Sequence, residues 1–315
     1  MSIYEELAEE LEVGSADVAR FLTAAPARYR VFTIPKRNGE PRTIAQPSRT
    51  LKQIQRYVLR KKLIELPVHP ASAAYVVGRG IADNARLHRH SRFITKLDFE
   101  AFFPSLTVRD WRLLTKRREA KAFLGDDAEA FERILFWGAG SFQPKILSIG
   151  APTSPYISNA LMFDIDSQVS RKLAEIGVTY SRYADDITLS GPDLRSVQQA
   201  SEVVKSVVRK TPSPRLKFNM DKAGTYGRGE RRMVTGLVIT PQGSVSLGRE
   251  RKRRIAALLH QTSLKAINVA DLGLLKGLLG FAVAAEPEFL GRMRRKYGDE
   301  VVDFAMKYEL PPKAR

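Results

Sequence analysis

Hydrophobic positions recur along the chain with two periods, and the changes of period divide it into helices and strands. Ile3, Leu7 and Leu11 lie four apart, on one face of an N-terminal helix. Ser15 is a candidate cap for a second helix that must end before Pro26. Next, residues alternate on both sides of "KRNGEP" (36–41), which predicts a β-hairpin with a basic tip. "LKQIQRYVLRKKLIEL" (51–66) returns to helical spacing, basic on its outer face. "RFITKLDF" (92–99) reads as a buried strand that ends in an acid. Ile157, Leu161, Ile165, Val169 and Leu173 predict a helix with Ser154 as N-cap, Pro155 in the first helical position and Gly177 as the stop. "TYSRYADDITLSG" (179–191) holds two alternating runs around a turn that carries Asp185 and Asp186. A helix (194–210), a short strand "RLKFN" (215–219), a strand "RRMVTGLVIT" (231–240) and a helical C-terminal region opening at "GRERKRRIAALLHQ" (248–261) complete the pattern. Strands and helices interleave irregularly, which predicts an α+β architecture rather than a doubly wound sheet.

Charge narrows the class of partner. The chain of 315 residues has 52 Lys plus Arg against 34 Asp plus Glu, a net charge of +18. Five glutamates and no basic residue fall in the first twelve positions, so the remaining 303 residues carry +23. An excess of this size points to a polyanion, nucleic acid before an anionic membrane. There is no cysteine, which excludes disulfides, cysteine nucleophiles and thiolate zinc sites. The acidic, amphipathic N-terminus is the opposite of a signal peptide. The longest apolar run, "LGLLKGLLGFAVAA" (272–285), is interrupted by Lys276. A cytoplasmic protein without a membrane partner is therefore expected.

The adjacent acids are the chemical anomaly. A strand ending in Asp98 and a hairpin carrying Asp185 and Asp186 can meet if they neighbour each other in one sheet. Three carboxylates together raise one another's pKa. A divalent cation resolves that conflict, and Mg²⁺ commonly takes one or two carboxylates plus substrate phosphates. Two such ions roughly 4 Å apart activate a hydroxyl and stabilise a leaving phosphate oxygen. On a basic protein this reads as phosphoryl transfer on nucleic acid.

"TKLDFEAFFPSL" (95–106), "GAPTSPYISNALM" (150–162) and "YSRYADDITLSG" (180–191), in that order, resemble the three core palm motifs of reverse transcriptases. The resemblance implies a right-hand α+β polymerase: N-terminal helices (1–27), fingers and a palm of antiparallel sheet on helices (28–240), and a small helical thumb with an RNA-binding region (241–315). It implies Asp98, Asp185 and Asp186 as catalytic, metal-binding acids, the carbonyl of Phe99 as a further ligand, and two Mg²⁺ per site. Lys36, Arg37 and Arg42 would hold the incoming deoxynucleoside triphosphate. Phe103 would screen the sugar 2′ position, Gly150 would line the nucleotide site, and Lys222 would sit near the departing pyrophosphate. The family's usual glutamine before "GAPTSP" is replaced by Ile149, which cannot hydrogen-bond in its place.

Two shorter matches resemble the retron branch: "NARLH", from Asn84 to His88, and "VTG", formed by Val234, Thr235 and Gly236. As residues alone, the first reads as a buried polar pair holding a turn and the second as a strand packed closely at its glycine. The retron resemblance places them with RNA binding, beside the basic runs "RERKRR" (249–254), with Arg251, Lys252, Arg253 and Arg254, and "RMRRK" (292–296). It implies copying of part of a structured non-coding RNA into multicopy single-stranded DNA, primed from a guanosine 2′-OH. It also implies anti-phage defence with a separate effector protein. The alternatives are another defence reverse transcriptase with untemplated or protein-primed synthesis, or an RNA-binding scaffold with a vestigial polymerase site.

Overall fold

The computed structural model describes residues 1–36, 39–116, 127–138 and 145–309. Helices α1 (Ile3–Leu11) and α2 (Ser15–Ala24) bury Ile3, Leu7, Val18 and Leu22 in the main core. Ser15 is the first helical residue, and the cap position falls on Gly14. Strands β1 (Tyr29–Pro35) and β2 (Pro41–Pro47) pair antiparallel from Tyr29↔Pro47 to Pro35↔Pro41, and β1 is exposed along most of its length. Helix α3 (Arg49–Lys61) buries Leu51, Ile54 and Val58 and leaves its basic side outward.

The central sheet is four-stranded and antiparallel. Its strands are β3 (Phe93–Asp98), β4 (Thr179–Tyr183), β5 (Asp186–Gly191) and β6 (Gly224–Tyr226), in the order β4-β5-β3-β6. Because side chains alternate, register decides what each face carries. Leu97, Ile187, Leu189, Tyr180 and Arg182 point to one face, which packs on α8 (Ser154–Ala174) and α9 (Leu194–Lys210). Lys96, Asp98, Asp186, Thr188, Ser190 and Ser181 point to the other. The sheet is therefore apolar toward its helices and polar on the side that carries the acids. The N-cap of α8 is Thr153 rather than Ser154, with no side-chain capping bond. Residues 215–219 form no strand, since Phe218 makes a single bridge to Phe99, and β6 lies further on.

Helix α4 (Ile81–Leu87) joins a second core, while α5 (Phe102–Ser105), α6 (Val108–Thr115) and α7 (Ala128–Leu135) add Phe102, Trp111 and Phe131 to the main core. The expected strand 231–240 is a tight hairpin of β7 (Arg232–Val234) and β8 (Leu237–Ile239), followed by β9 (Val245–Ser246). Thr235 (φ 48) and Gly236 (φ 79) both adopt positive φ, as a two-residue turn matched to strand twist requires. That second core joins Val234, Leu237 and Ile239 to α4 and to α10 (Arg249–Ser263), α11 (Val269–Ala285), α12 (Pro287–Tyr297) and α13 (Asp299–Lys307). Among the described residues, no helix is long and apolar enough to cross a membrane.

Candidate active site

The acids meet through backbone pairing. Asp98, the last residue of β3, stands opposite Asp186, the first of β5, in the antiparallel register. Asp185 lies in the β4–β5 turn, and its carbonyl accepts the amide of Phe99 at 3.2 Å. Lys222 ends a short 3₁₀ turn (Met220–Lys222) that is tied to β3, because Asn219 N donates to the Asp98 carbonyl at 2.8 Å. Its Nζ lies 2.6 Å from Asp98 Oδ2, with the carboxylate buried and the lysine largely exposed.

The electrostatics follow from this crowding. Burial, reinforced by the Asp98 carboxylate, raises the Asp185 pKa, while Lys222 and Arg42 oppose the shift. Burial also pushes Asp186 up to about 6; Asp185 and Asp98 add to the rise and Lys96 opposes it. Among the described residues, no three acidic or histidine side chains draw close enough to form a ready-made cation site. The Asp98 and Asp186 carboxyl groups lie within hydrogen-bonding reach of each other, which adds to the rise at Asp186, and the Lys222 ammonium pairs with Asp98. The donor set still fits a hard divalent ion, because it consists of carboxylate oxygens already contacted by one cation.

The other predicted positions separate into groups. Lys36 Nζ pairs with Glu40 at 3.0 Å across the hairpin tip. Arg42, opposite Ile34, lies near enough to influence Asp185. Arg37 lies outside the described residues. Gly150 has φ 124, and a Cβ there would come within 3.1 Å of the Ala45 carbonyl oxygen. Ala45 N donates to Ile149 O at 3.0 Å, so this loop is stitched to β2. Phe102 is the core aromatic, at 5.7 Å from Phe99, whereas Phe103 is only half-buried.

Asn84, Ala85 and His88 of "NARLH" are buried, with His88 beneath the sheet's polar face, while Arg86 and Leu87 are exposed. His88 is fully buried, its Nδ1 at 2.8 Å from Ser190 Oγ and its Nε2 at 2.7 Å from Ser181 Oγ, so it spans β4 and β5. Burial drives its pKa down to about 4, which keeps it neutral. Asn84 is buried with neither amide atom bonded to protein. Thr235 Oγ1 donates to Ile81 O at 2.8 Å, linking the "VTG" turn to α4, and Val234 is core. Of the two motifs, Arg86, Leu87, Thr235 and Gly236 are at least partly exposed, whereas Asn84, His88 and Val234 are buried. The basic run of α10 also divides. Arg251 donates to Gly236 O at 2.8 Å and stacks 4.8 Å above Phe281, and Lys252 pairs with Glu286 at 2.7 Å. Arg253 and Arg254 are exposed.

Sequence reasoning passed over Arg182. It is fully buried and forms a bidentate pair with Asp166, with Nη2–Oδ2 at 2.6 Å and Nε–Oδ1 at 2.9 Å. Tyr180 OH donates to the same carboxylate at 2.6 Å. The signal was present: Arg182 and Asp166 are opposite charges at core-facing positions of a strand and a helix.

Comparison with known proteins agrees with this architecture. A family model for "Reverse transcriptase (RNA-dependent DNA polymerase)" matches residues 34–243. A telomerase structure from Candida albicans superposes with a TM-score of 0.50 at 14% identity, covering 89% of this chain and 61% of that one, a likeness of fold alone. The chain belongs to the reverse transcriptases, the RNA-directed DNA polymerases. Within that class its relatives are retron enzymes: it is 34% identical to Retron Ec83 reverse transcriptase of Escherichia coli, over 95% of this chain and 96% of that protein. It is 30% identical to Retron Ec86 reverse transcriptase of the same organism, over 95% and 91%. It is thus a retron-type reverse transcriptase.

Proposed function

We propose that this enzyme copies part of a structured non-coding RNA into multicopy single-stranded DNA, primed from a guanosine 2′-OH. Its setting would be anti-phage defence beside a separate effector protein. The observation that carries the chemistry is the register of Asp98 against Asp186, with Asp185 in the adjoining turn. The side chains of Asp98, Asp185 and Asp186, with the Phe99 carbonyl, would hold two Mg²⁺. Bound there, the ions would supply a lower pKa at the primer hydroxyl and neutralise triphosphate charge.

The remaining roles belong to the chain's own residues. Arg42, with Lys36 and Arg37, grips phosphate oxygens, which Arg matches by its fork and Lys as a point charge. Lys222, which pairs with Asp98, would place its ammonium near the departing pyrophosphate as counter-charge or proton donor. Phe103 closes the pocket against a ribose 2′-OH. Gly150 keeps the nucleotide side of β2 free of a side chain. Arg253 and Arg254, with the basic face of α12, contact the RNA backbone. Residues 1–27, 28–240 and 241–315 serve as N-terminal helices, fingers plus palm, and thumb.

The test is to sequence the nucleic acid that co-purifies with the wild-type enzyme and with Asp185→Ala. A short DNA branched from a structured RNA, present in the first and missing from the second, is the expected result. Unbranched or protein-linked DNA would overturn the retron chemistry, and DNA made equally by Asp185→Ala would overturn the site.

A further inference from the structure

The tip of the acidic hairpin is bent out of regular strand geometry. Ala184, between Tyr183 and Asp185, has φ 58, a left-handed conformation sparsely populated by residues with a Cβ. Its carbonyl accepts a hydrogen bond from Arg182 Nη1 at 3.1 Å. That guanidinium approaches from the helix-packed face of the sheet, behind the acids. The same Nη1 lies 3.2 Å from Asn159 Oδ1, while Nε and Nη2 are committed to Asp166.

Both acceptors are themselves anchored. Asp166 and Asn159 lie on α8, which is packed along the core through Ile157, Leu161, Ile165 and Val169. Asn159 Nδ2 donates to Ala74 O at 2.9 Å, and its Oδ1 accepts Ser72 Oγ at 2.8 Å. The backbone of Arg182 is clamped as well: its amide donates to Ala71 O at 2.9 Å and its carbonyl accepts Ala73 N at 2.8 Å. A fully buried ion pair is weak evidence for stability, since apolar residues of similar volume often fill such a space equally well. An apolar pair cannot bond the Ala184 carbonyl. A lysine cannot serve a carboxylate, an amide oxygen and a backbone carbonyl together, because it lacks the rigid fork.

We propose that Arg182, held by Asp166 and Asn159, is a positioning residue that fixes the Asp185–Asp186 turn in its working conformation. The inference rests on the reading of those aspartates as the catalytic acids. The guanidinium touches no substrate and acts through the turn it holds.

The test compares primer extension on an RNA template by the wild type, Arg182→Lys, the double variant Arg182→Met/Asp166→Leu, Tyr180→Phe and Asp185→Ala. Arg182→Lys is expected to lower kcat on the order of 10- to 100-fold, the usual consequence of a small misplacement of reacting groups. Nucleotide KM and RNA affinity stay within about twofold, because neither ligand loses a contact. Hydrogen exchange across 183–187 accelerates in the same variant. The double variant guards against misfolding: it keeps a thermal midpoint near wild type and still loses kcat. Tyr180→Phe removes a buried hydrogen bond to Asp166 but leaves the Ala184 contact, and it keeps kcat. Wild-type kcat in both Arg182 variants overturns the brace, as does an equal loss of kcat in Tyr180→Phe. Activity in Asp185→Ala overturns the underlying site reading instead.

Discussion

In the β4–β5 hairpin, Asp186 points to the polar face, with Asp185 beside it in the turn, while Arg182, three residues before Asp185, points to the other face and is fully buried. In α10, six residues dense in positive charge part company: Arg251 and Lys252 turn toward protein partners, and Arg253 and Arg254 face solvent. The hairpin sorts charge by a period of two along each strand, so Arg182 and Asp186, on either side of the turn, face opposite ways and serve opposite tasks. The helix sorts by a period of 3.6, so a continuous run wraps the axis and cannot all serve one surface. A cluster of like charge in sequence is thus not a cluster of like function.

The sharpest way to break this comparison is at the hairpin. Asp185→Ala should abolish primer extension, by about three decades or more, while thermal unfolding shows equal or higher stability because a crowded carboxylate is gone. Smaller in effect is the pH response of the histidine beneath the same strands. The folded pKa of His88, about 4, lies below the value of about 6.5 for an exposed histidine. The unfolded chain therefore takes up a proton first as pH falls. Stability is fully present above about pH 6.5 and drains toward pH 4, by about 2 kcal/mol between pH 7 and pH 5. Urea unfolding at the two pH values measures it, and His88→Gln should remove this slope.

On the helix, the inward and outward cations should separate cleanly. Arg251→Ala should cost about 1–3 kcal/mol in chemical unfolding, for a charged hydrogen bond and a stacked ring. Arg253→Ala/Arg254→Ala should leave stability within about 0.5 kcal/mol. The same double substitution should make the salt dependence of RNA binding shallower, by about 1.4 to 1.8 in log–log slope. Equal stability loss in both variants would collapse the distinction. The smallest effect is expected at Ile149→Gln, where nucleotide incorporation should hold or rise slightly, because only the side chain changes while the Ile149 carbonyl stays bonded to Ala45 N. A collapse there would give the isoleucine a role of its own.

Much of the architecture was legible from spacing. The basic hairpin, the helix 194–210 and the acid-tipped strand and acidic hairpin as separate elements follow from local periodicity, while their pairing, left conditional by the sequence, is supplied by the register of β3 on β5. The misreadings were also local in origin. Residues 231–240 look like one strand because nothing in the composition announces a turn at Thr235, a β-branched residue in positive φ that a hydrogen bond to Ile81 O accompanies. Residues 215–219 look like a strand because Leu216 and Phe218 alternate, yet the chain there turns to bring Lys222 to Asp98. As residues, "NARLH" reads as a buried polar pair holding a turn, and Asn84 and His88 are buried, but local spacing cannot say that His88 bridges Ser181 and Ser190.

What the sequence by itself determined is the set of elements and the alternation that sends Asp98 and Asp186 to the face away from α8 and α9. Those are properties of neighbours a few residues apart, and backbone geometry enforces them. The tertiary structure alone decided which charges are free and which are spoken for. Arg182 meets Asp166 across 16 positions and His88 meets Ser190 across 102. Such partners are chosen by packing, because burying a polar group is costly unless something distant in the chain arrives to bond it.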